Sequence, residues 1–344
     1  MTTRRDLILH IGLPKTGTTA LQRDLFPQHP GFIGGTDGQV AVPPIMKELL
    51  ELRFPPEGPS AWKSERWTDG VRDWVGHAAP HGEAVAIASA EMLSAWEILR
   101  GRPPRDSRLP LLDPPSLSNA VRIGPPPVAN FLAALKGAVA PEFRLRVILT
   151  LREQAEFIGS LYAQLSLEMR NPGQQDLEEK VDRLLASADM YFDWAHLVSS
   201  LRAALDEGDL LVCVFEDGMP QIGREIAHWI DPSWSPRVSI GRHNVRTAGP
   251  GSWAVPRSSR WRRMTFLVKR IWPEDRLPSA RRLIGRLLGG PQRRARLVAE
   301  RREREQQSGI VLSPELRRRI AATFAASNAT TAVLLGRELW EQRR

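Results

Sequence analysis

One cysteine, Cys213, stands in a chain of 344 residues. No internal disulfide can form, which fits a reducing compartment. Nowhere do about 18 apolar residues run together, so no membrane-spanning helix is expected. The apolar stretch behind Arg4 and Arg5, Leu7 to Ile11, is too short for the apolar core of a secretion signal. No internal repeat is visible. These absences point to a cytoplasmic chain. With 42% hydrophobic and 25% charged residues it has the composition of a globular protein, neither disordered nor fibrous. The length allows one large or two ordinary domains.

Charge is unevenly spread. The chain carries 48 Lys+Arg against 39 Asp+Glu, a net of +9. Residues 251–310 hold 16 basic and 5 acidic residues, which leaves 32 basic and 34 acidic residues elsewhere. Outside one segment the protein is slightly acidic.

Short apolar runs at 7–11, 84–88, 145–151 and 210–215 read as buried strands. Helical spacing follows the first at 20–26 and the third at about 154–169, and precedes the fourth at 191–205. This alternation predicts an α/β fold, a doubly wound parallel sheet flanked by helices. Residues 101–127 contain eight prolines, too many for a helix or a central strand. Near the end, Ser313-Pro314-Glu315 predicts a helix start, with Ser313 as N-cap and Pro314 in the first helical position. That helix should run through Phe324 towards Leu334.

Between the first strand and helix lies Gly12-Leu13-Pro14-Lys15-Thr16-Gly17-Thr18-Thr19. Backbone N–H groups at a helix start lack intrahelical partners, and the helix dipole adds partial positive charge. Lys15 supplies a full charge, and Thr18 and Thr19 supply hydroxyls. Such a loop is suited to an anion. The nucleoside-triphosphate P-loop places Lys directly after its second Gly, then Ser or Thr for magnesium. Here Lys15 precedes Gly17 by two positions, and no apolar strand ends in an aspartate suited to magnesium. The loop therefore reads as a phosphate site without a metal.

The run from Leu9 to Thr19 resembles the 5′-phosphosulfate loop of sulfotransferases that use 3′-phosphoadenosine 5′-phosphosulfate (PAPS). A second likeness lies in Leu151-Arg152 through Ser160-Leu161-Tyr162, where that family has an Arg at a strand end and a Ser on the next helix for the 3′-phosphate. Tyr191-Phe192-Asp193-Trp194, leading to Glu216 and Asp217, resembles a later scaffold unit of the family. The resemblance, closest to bacterial carbohydrate-sulfotransferase-like enzymes, covers about residues 6–250 and, more weakly, the closing helix. It implies a P-loop-containing sheet and PAPS as co-substrate, with Gly12, Pro14, Lys15, Thr16, Gly17, Thr18, Thr19, Arg152 and Ser160 as cofactor-binding residues. The sulfuryl group would pass to a hydroxyl of a carbohydrate, glycolipid or other small acceptor.

The resemblance further implies Lys15 as a catalytic residue at the bridging oxygen and Glu91, just past the second strand, as general base. His77 and His81 lie nearby without a matching motif, and His10 reads as a satisfied core histidine. Arg242 and Asn244, in Gly241-Arg242-His243-Asn244-Val245, are further candidates for phosphate or acceptor contact, against a plain surface loop.

The chain divides into a core at 1–250, a basic amphipathic helical segment at 251–310 and a closing helix at 311–344. Within 261–304, apolar positions such as Trp261, Met264, Val268 and Ile271 fall near one helical face, with arginines largely off it. That face either packs on the core or makes peripheral contact with an anionic membrane; nucleic acid is the least favoured partner. Competing readings of the whole are a P-loop kinase and a non-catalytic protein that binds membranes or polyanions.

Overall fold

The computed structural model describes residues 4–13, 15–33, 44–53, 55, 59–79, 82–90, 93, 127–140, 142–166, 172–186, 192–238, 247–249, 252–255 and 309–340. Its centre is a four-stranded parallel sheet of β1 (Arg5–His10), β2 (Val85–Ser89), β3 (Phe143–Leu151) and β4 (Leu210–Val214), in the order β2-β1-β3-β4. All four expected strands are present, shifted by one or two residues at their ends.

Side chains of β1 alternate between two cores, as the period of a strand requires. Leu7 and Leu9 enter the larger core with Phe157, Ile158 and Leu161, while Ile8 enters a smaller one with Leu21, Leu25 and Ile148. Apolar residues thus fill both faces, as in a parallel sheet covered by helices. On the smaller-core side runs a helical stretch of mixed pitch. It opens as α1 (Thr18–Ala20) and continues as a π turn (Leu21–Leu25) and a 3-10 turn (Phe26–Gln28). Beyond β2, Phe32 bridges Ile87 in parallel fashion. There Gly31 must be glycine, because a Cβ would lie 1.9 Å from the carbonyl oxygen of Val85.

Helices α2 (Pro44–Arg53), α3 (Glu65–Ala78) and α4 (Pro127–Val139) lie between β1 and β3 in sequence. After β3 come α5 (Gln154–Leu165), α6 (Gln174–Ala186) and α7 (Trp194–Ala204). α7 starts where Asp193 accepts a hydrogen bond from the His196 amide. Behind β4, a 3-10 turn (Phe215–Asp217) leads into α8 (Met219–Ile230). The closing helix α9 (Pro314–Leu335) begins as expected, with the Ser313 hydroxyl accepting from the Leu316 amide at 3.1 Å. A buried amide pair pins it to α5: Gln154 Nε2 donates to Asn328 Oδ1 at 2.7 Å, and Asn328 Nδ2 donates back at 3.2 Å.

One element has no counterpart in the sequence reading. β5 (Thr247–Gly249), β6 (Ser252–Ala254) and β7 (Gly309–Val311) form a small antiparallel sheet. Trp253 of β6 packs on α5, where Gly159 leaves it room: a Cβ there would lie 2.4 Å from the indole ring. The basic stretch at 261–304 and most of the proline-rich one at 101–127 lie outside the described residues. Among the described residues no helix is long and apolar enough to cross a membrane.

Candidate functional site

From β1 the chain turns to the helical run on one face of the sheet, and from β3 it turns to α5 on the other. Neighbouring parallel strands whose connections diverge leave a crevice at their carboxyl ends, where open α/β sheets place their ligands. The β1–α1 loop and Arg152 both lie at that crevice, and they touch. Arg152 Nη1 donates to the backbone carbonyl of Lys15 at 3.0 Å, joining residues 137 positions apart.

The loop has a strained backbone. Lys15 takes a left-handed φ of 67°, rare for a residue with a side chain, and Gly17 takes 84° just ahead of α1. Left-handed residues within a turn bring successive N–H groups towards one concavity, a backbone arrangement suited to anions. Gly17 is doubly constrained, since a Cβ would stand 2.3 Å from Met219 Sδ. The Thr16 hydroxyl is buried and donates to the Leu13 carbonyl at 2.6 Å, so this side chain holds the turn. Thr18, also buried, reaches the same carbonyl at 3.5 Å.

Arg152 is held from several sides. The indole N–H of Trp194 binds its backbone carbonyl at 3.1 Å, and its guanidinium lies 4.7 Å over the Phe215 ring. Nη2 meets Glu156 at 3.3 Å, and Nε lies 3.9 Å from Glu216 without a hydrogen bond among the described residues. Burial lowers the guanidinium's pKa, opposed by Glu156, Glu216 and Glu153. Glu216 shows the converse. Burial raises its pKa, against hydrogen bonds from the Trp340 indole at 2.6 Å and the Glu153 amide at 3.1 Å. A second arginine, Arg317 of α9, pairs with Glu156 at 2.8 Å. Ser160 stands one turn beyond Glu156 on the same face of α5 and is buried.

The sequence-predicted residues therefore divide. Gly12, Lys15, Thr16, Gly17, Thr18 and Thr19 form the loop, Arg152 joins it, and Ser160 follows on α5. Pro14, Glu91, His81, Arg242 and Asn244 lie outside the described residues. His77 pairs with Glu48 on the surface. His10 is buried as expected, but only one ring nitrogen is bonded: Nδ1 meets Ser89 Oγ at 2.7 Å, and Nε2 has no partner among the described residues. Sequence reasoning missed Glu156 and Arg317 around Arg152 and read Glu216 as scaffold. Glu156 sits four residues from Arg152, at helical-neighbour spacing; no local signal ties Glu216 or Arg317 to that arginine. Among the described residues no group of three or more His, Cys, Asp or Glu could hold a metal ion.

Fold and site define an α/β chain with a cationic loop across the ends of parallel strands. No family model matches it, and no curated protein does. Among solved structures, a sulfotransferase from Alicyclobacillus acidocaldarius aligns over the whole of both chains at 13% identity, with a TM-score of 0.47. A likeness of that size assigns no function.

Proposed function

We propose that this chain is a sulfotransferase that moves a sulfuryl group from PAPS to a hydroxyl of a carbohydrate, glycolipid or other small acceptor. One observation carries the reading: the Arg152 guanidinium bonds the backbone of a Lys-bearing, left-handed loop, so two cationic motifs distant in sequence meet at one crevice. A ligand with two separated phosphates needs two such donor sets. The buried Arg152 Nε, with no hydrogen bond among the described residues, fits an anionic guest.

When bound, the co-substrate supplies a sulfuryl group on a phosphate leaving group. The chain's own part is electrostatic. Amides of the loop and the Thr18 and Thr19 hydroxyls hold the 5′-phosphate, and Lys15 neutralises charge on the departing oxygen. Arg152 and Ser160 hold the 3′-phosphate, with Arg242 and Asn244 as further contacts. The S–O bond to phosphate breaks as the acceptor oxygen bonds to sulfur, and the acceptor proton passes to Glu91. That base follows Ala90, whose amide donates to the His10 carbonyl at 2.9 Å, next to the loop's first residues. The basic segment would place the enzyme against an anionic membrane, close to a glycolipid acceptor.

Calorimetry with 3′-phosphoadenosine 5′-phosphate (PAP) against ATP-magnesium tests the reading. Tight binding of PAP and weak binding of ATP-magnesium are expected. The opposite preference would make the chain a nucleotide-dependent kinase, and heat from neither would remove the enzyme reading.

A further inference from the structure

Under the β1–α1 loop lies a polar cluster with no part in the reading above. His10 ends β1, wholly buried, with the Phe26 ring 5.3 Å away. Gln22 Nε2 donates to both the carbonyl and the hydroxyl of Ser89 at 3.1 Å, and that hydroxyl lies 2.7 Å from His10 Nδ1. A carbonyl only accepts, so the Gln22 amide must turn its NH2 towards Ser89.

Proton counting then fixes the imidazole tautomer. If the Ser89 hydroxyl donates to Nδ1, a single group in the cluster is left over, the Nε2–H. If Nδ1 donates instead, both the Ser89 proton and the Nε2 lone pair go without partners among the described residues. The first arrangement satisfies more buried groups. Burial keeps the ring neutral, lowering its pKa from 6.5 to about 3.

The leftover N–H is aimed at the loop. A Cβ on Gly12 would stand 2.6 Å from Nε2 and 3.2 Å from Thr18 Oγ1, so both atoms border the space that glycine leaves. Thr18 is itself weakly engaged. Its hydroxyl reaches the Leu13 carbonyl only at 3.5 Å, the limit of a hydrogen bond, and Thr16 already binds that carbonyl at 2.6 Å.

The geometry points to His10 as a positioning residue: on anion binding, the Thr18 hydroxyl turns from Leu13 to the anion, and its oxygen accepts the His10 Nε2–H. Gln22, Ser89, His10 and Thr18 then form one chain of neutral donors ending at the ligand, each bond polarising the next. The inference rests on the loop's being an anion site, and it holds for any phosphate-bearing guest.

Long-range 1H–15N correlation spectra of full-length protein labelled in its histidine rings test this, titrated with PAP and separately with inorganic pyrophosphate. His10→Gln identifies the His10 signals by their loss. Before titration the ring should be neutral, with its proton on Nε2. Either anion should shift the Nε2–H resonance in the wild type, and the shift should vanish in Thr18→Val. In calorimetry His10→Leu should weaken anion binding about tenfold, the range of one hydrogen bond. His10→Gln, which keeps a neutral donor at that reach, should recover most of it. A proton on Nδ1, a shift that survives in Thr18→Val, or no response to either anion overturns the inference. The spectra of wild type and Thr18→Val decide it even where His10→Leu does not fold. A response to pyrophosphate alone would sink the PAPS reading and leave the role of His10 standing.

Discussion

Burying a neutral histidine has a measurable consequence in acid. In the unfolded chain His10 regains an ordinary pKa of 6.5, and in the fold it titrates at about 3. Between those values the unfolded state binds a proton that the native state refuses, so stability falls as pH falls. With 1.36 kcal/mol per pKa unit, this group alone should cost the native state about 2 kcal/mol between pH 7 and pH 5. The perturbation is His10→Gln, which removes the titration and keeps a polar side chain. Urea unfolding followed by tryptophan fluorescence, at half-unit steps from pH 7 to pH 5, gives the two stability curves. His29, lowered by burial, and His77, raised by Glu48, titrate in both proteins and cancel in the difference. The wild type should lose about 2 kcal/mol more than the variant over that range. Parallel curves would refute the reasoning, because they would mean that His10 protonates in the native state as readily as in water.

Lys15→Ala should fold normally yet lower kcat by about a hundredfold or more in sulfate-transfer assays with a working acceptor. Near-normal turnover would remove Lys15 from the chemistry. Gly31→Ala forces a methyl group into the Val85 carbonyl and should cost more than about 3 kcal/mol or abolish soluble expression, read by thermal unfolding. Ser313→Ala deletes the α9 N-cap and should cost about 1 kcal/mol, with Ser313→Asp restoring it. Equal melting temperatures for Ser313→Ala and wild type would show that the cap is not needed.

Much of the fold was legible because its signals are local. Runs such as Leu7 to Ile11 and Leu145 to Leu151 are apolar at successive positions apart from His10, Arg146 and Thr150, which marks strands buried on both faces. Ser313-Pro314 marks a helix start through side-chain geometry alone. The β5–β6–β7 sheet left no such mark, for its strands are three residues long, too short for a period. At the site, the loop is recognisable from its Gly, Lys and Thr residues, but the left-handed turn at Lys15 is not, since nothing in a lysine favours that backbone. The partners of Arg152 divide the same way. Glu156 is a neighbour in sequence, whereas Glu216 and Arg317 arrive from the 3-10 turn after β4 and from α9 through the fold. Ser89 and Gln22 look like ordinary surface residues until β1 and β2 pair and bring Ser89 opposite His10.

The hydrogen bond from Arg152 to the Lys15 carbonyl also acts on the peptide group it touches. A cation at a carbonyl oxygen draws electron density out of the amide and leaves the N–H of the following residue, Thr16, more acidic. Such polarisation strengthens the next hydrogen bond by roughly 10–30%. Arg152 therefore acts on the loop at a distance from its own contact, sharpening a backbone donor it never meets. Replacing it with lysine, a compact charge without the planar fork, would keep the sign of the field and lose its aim.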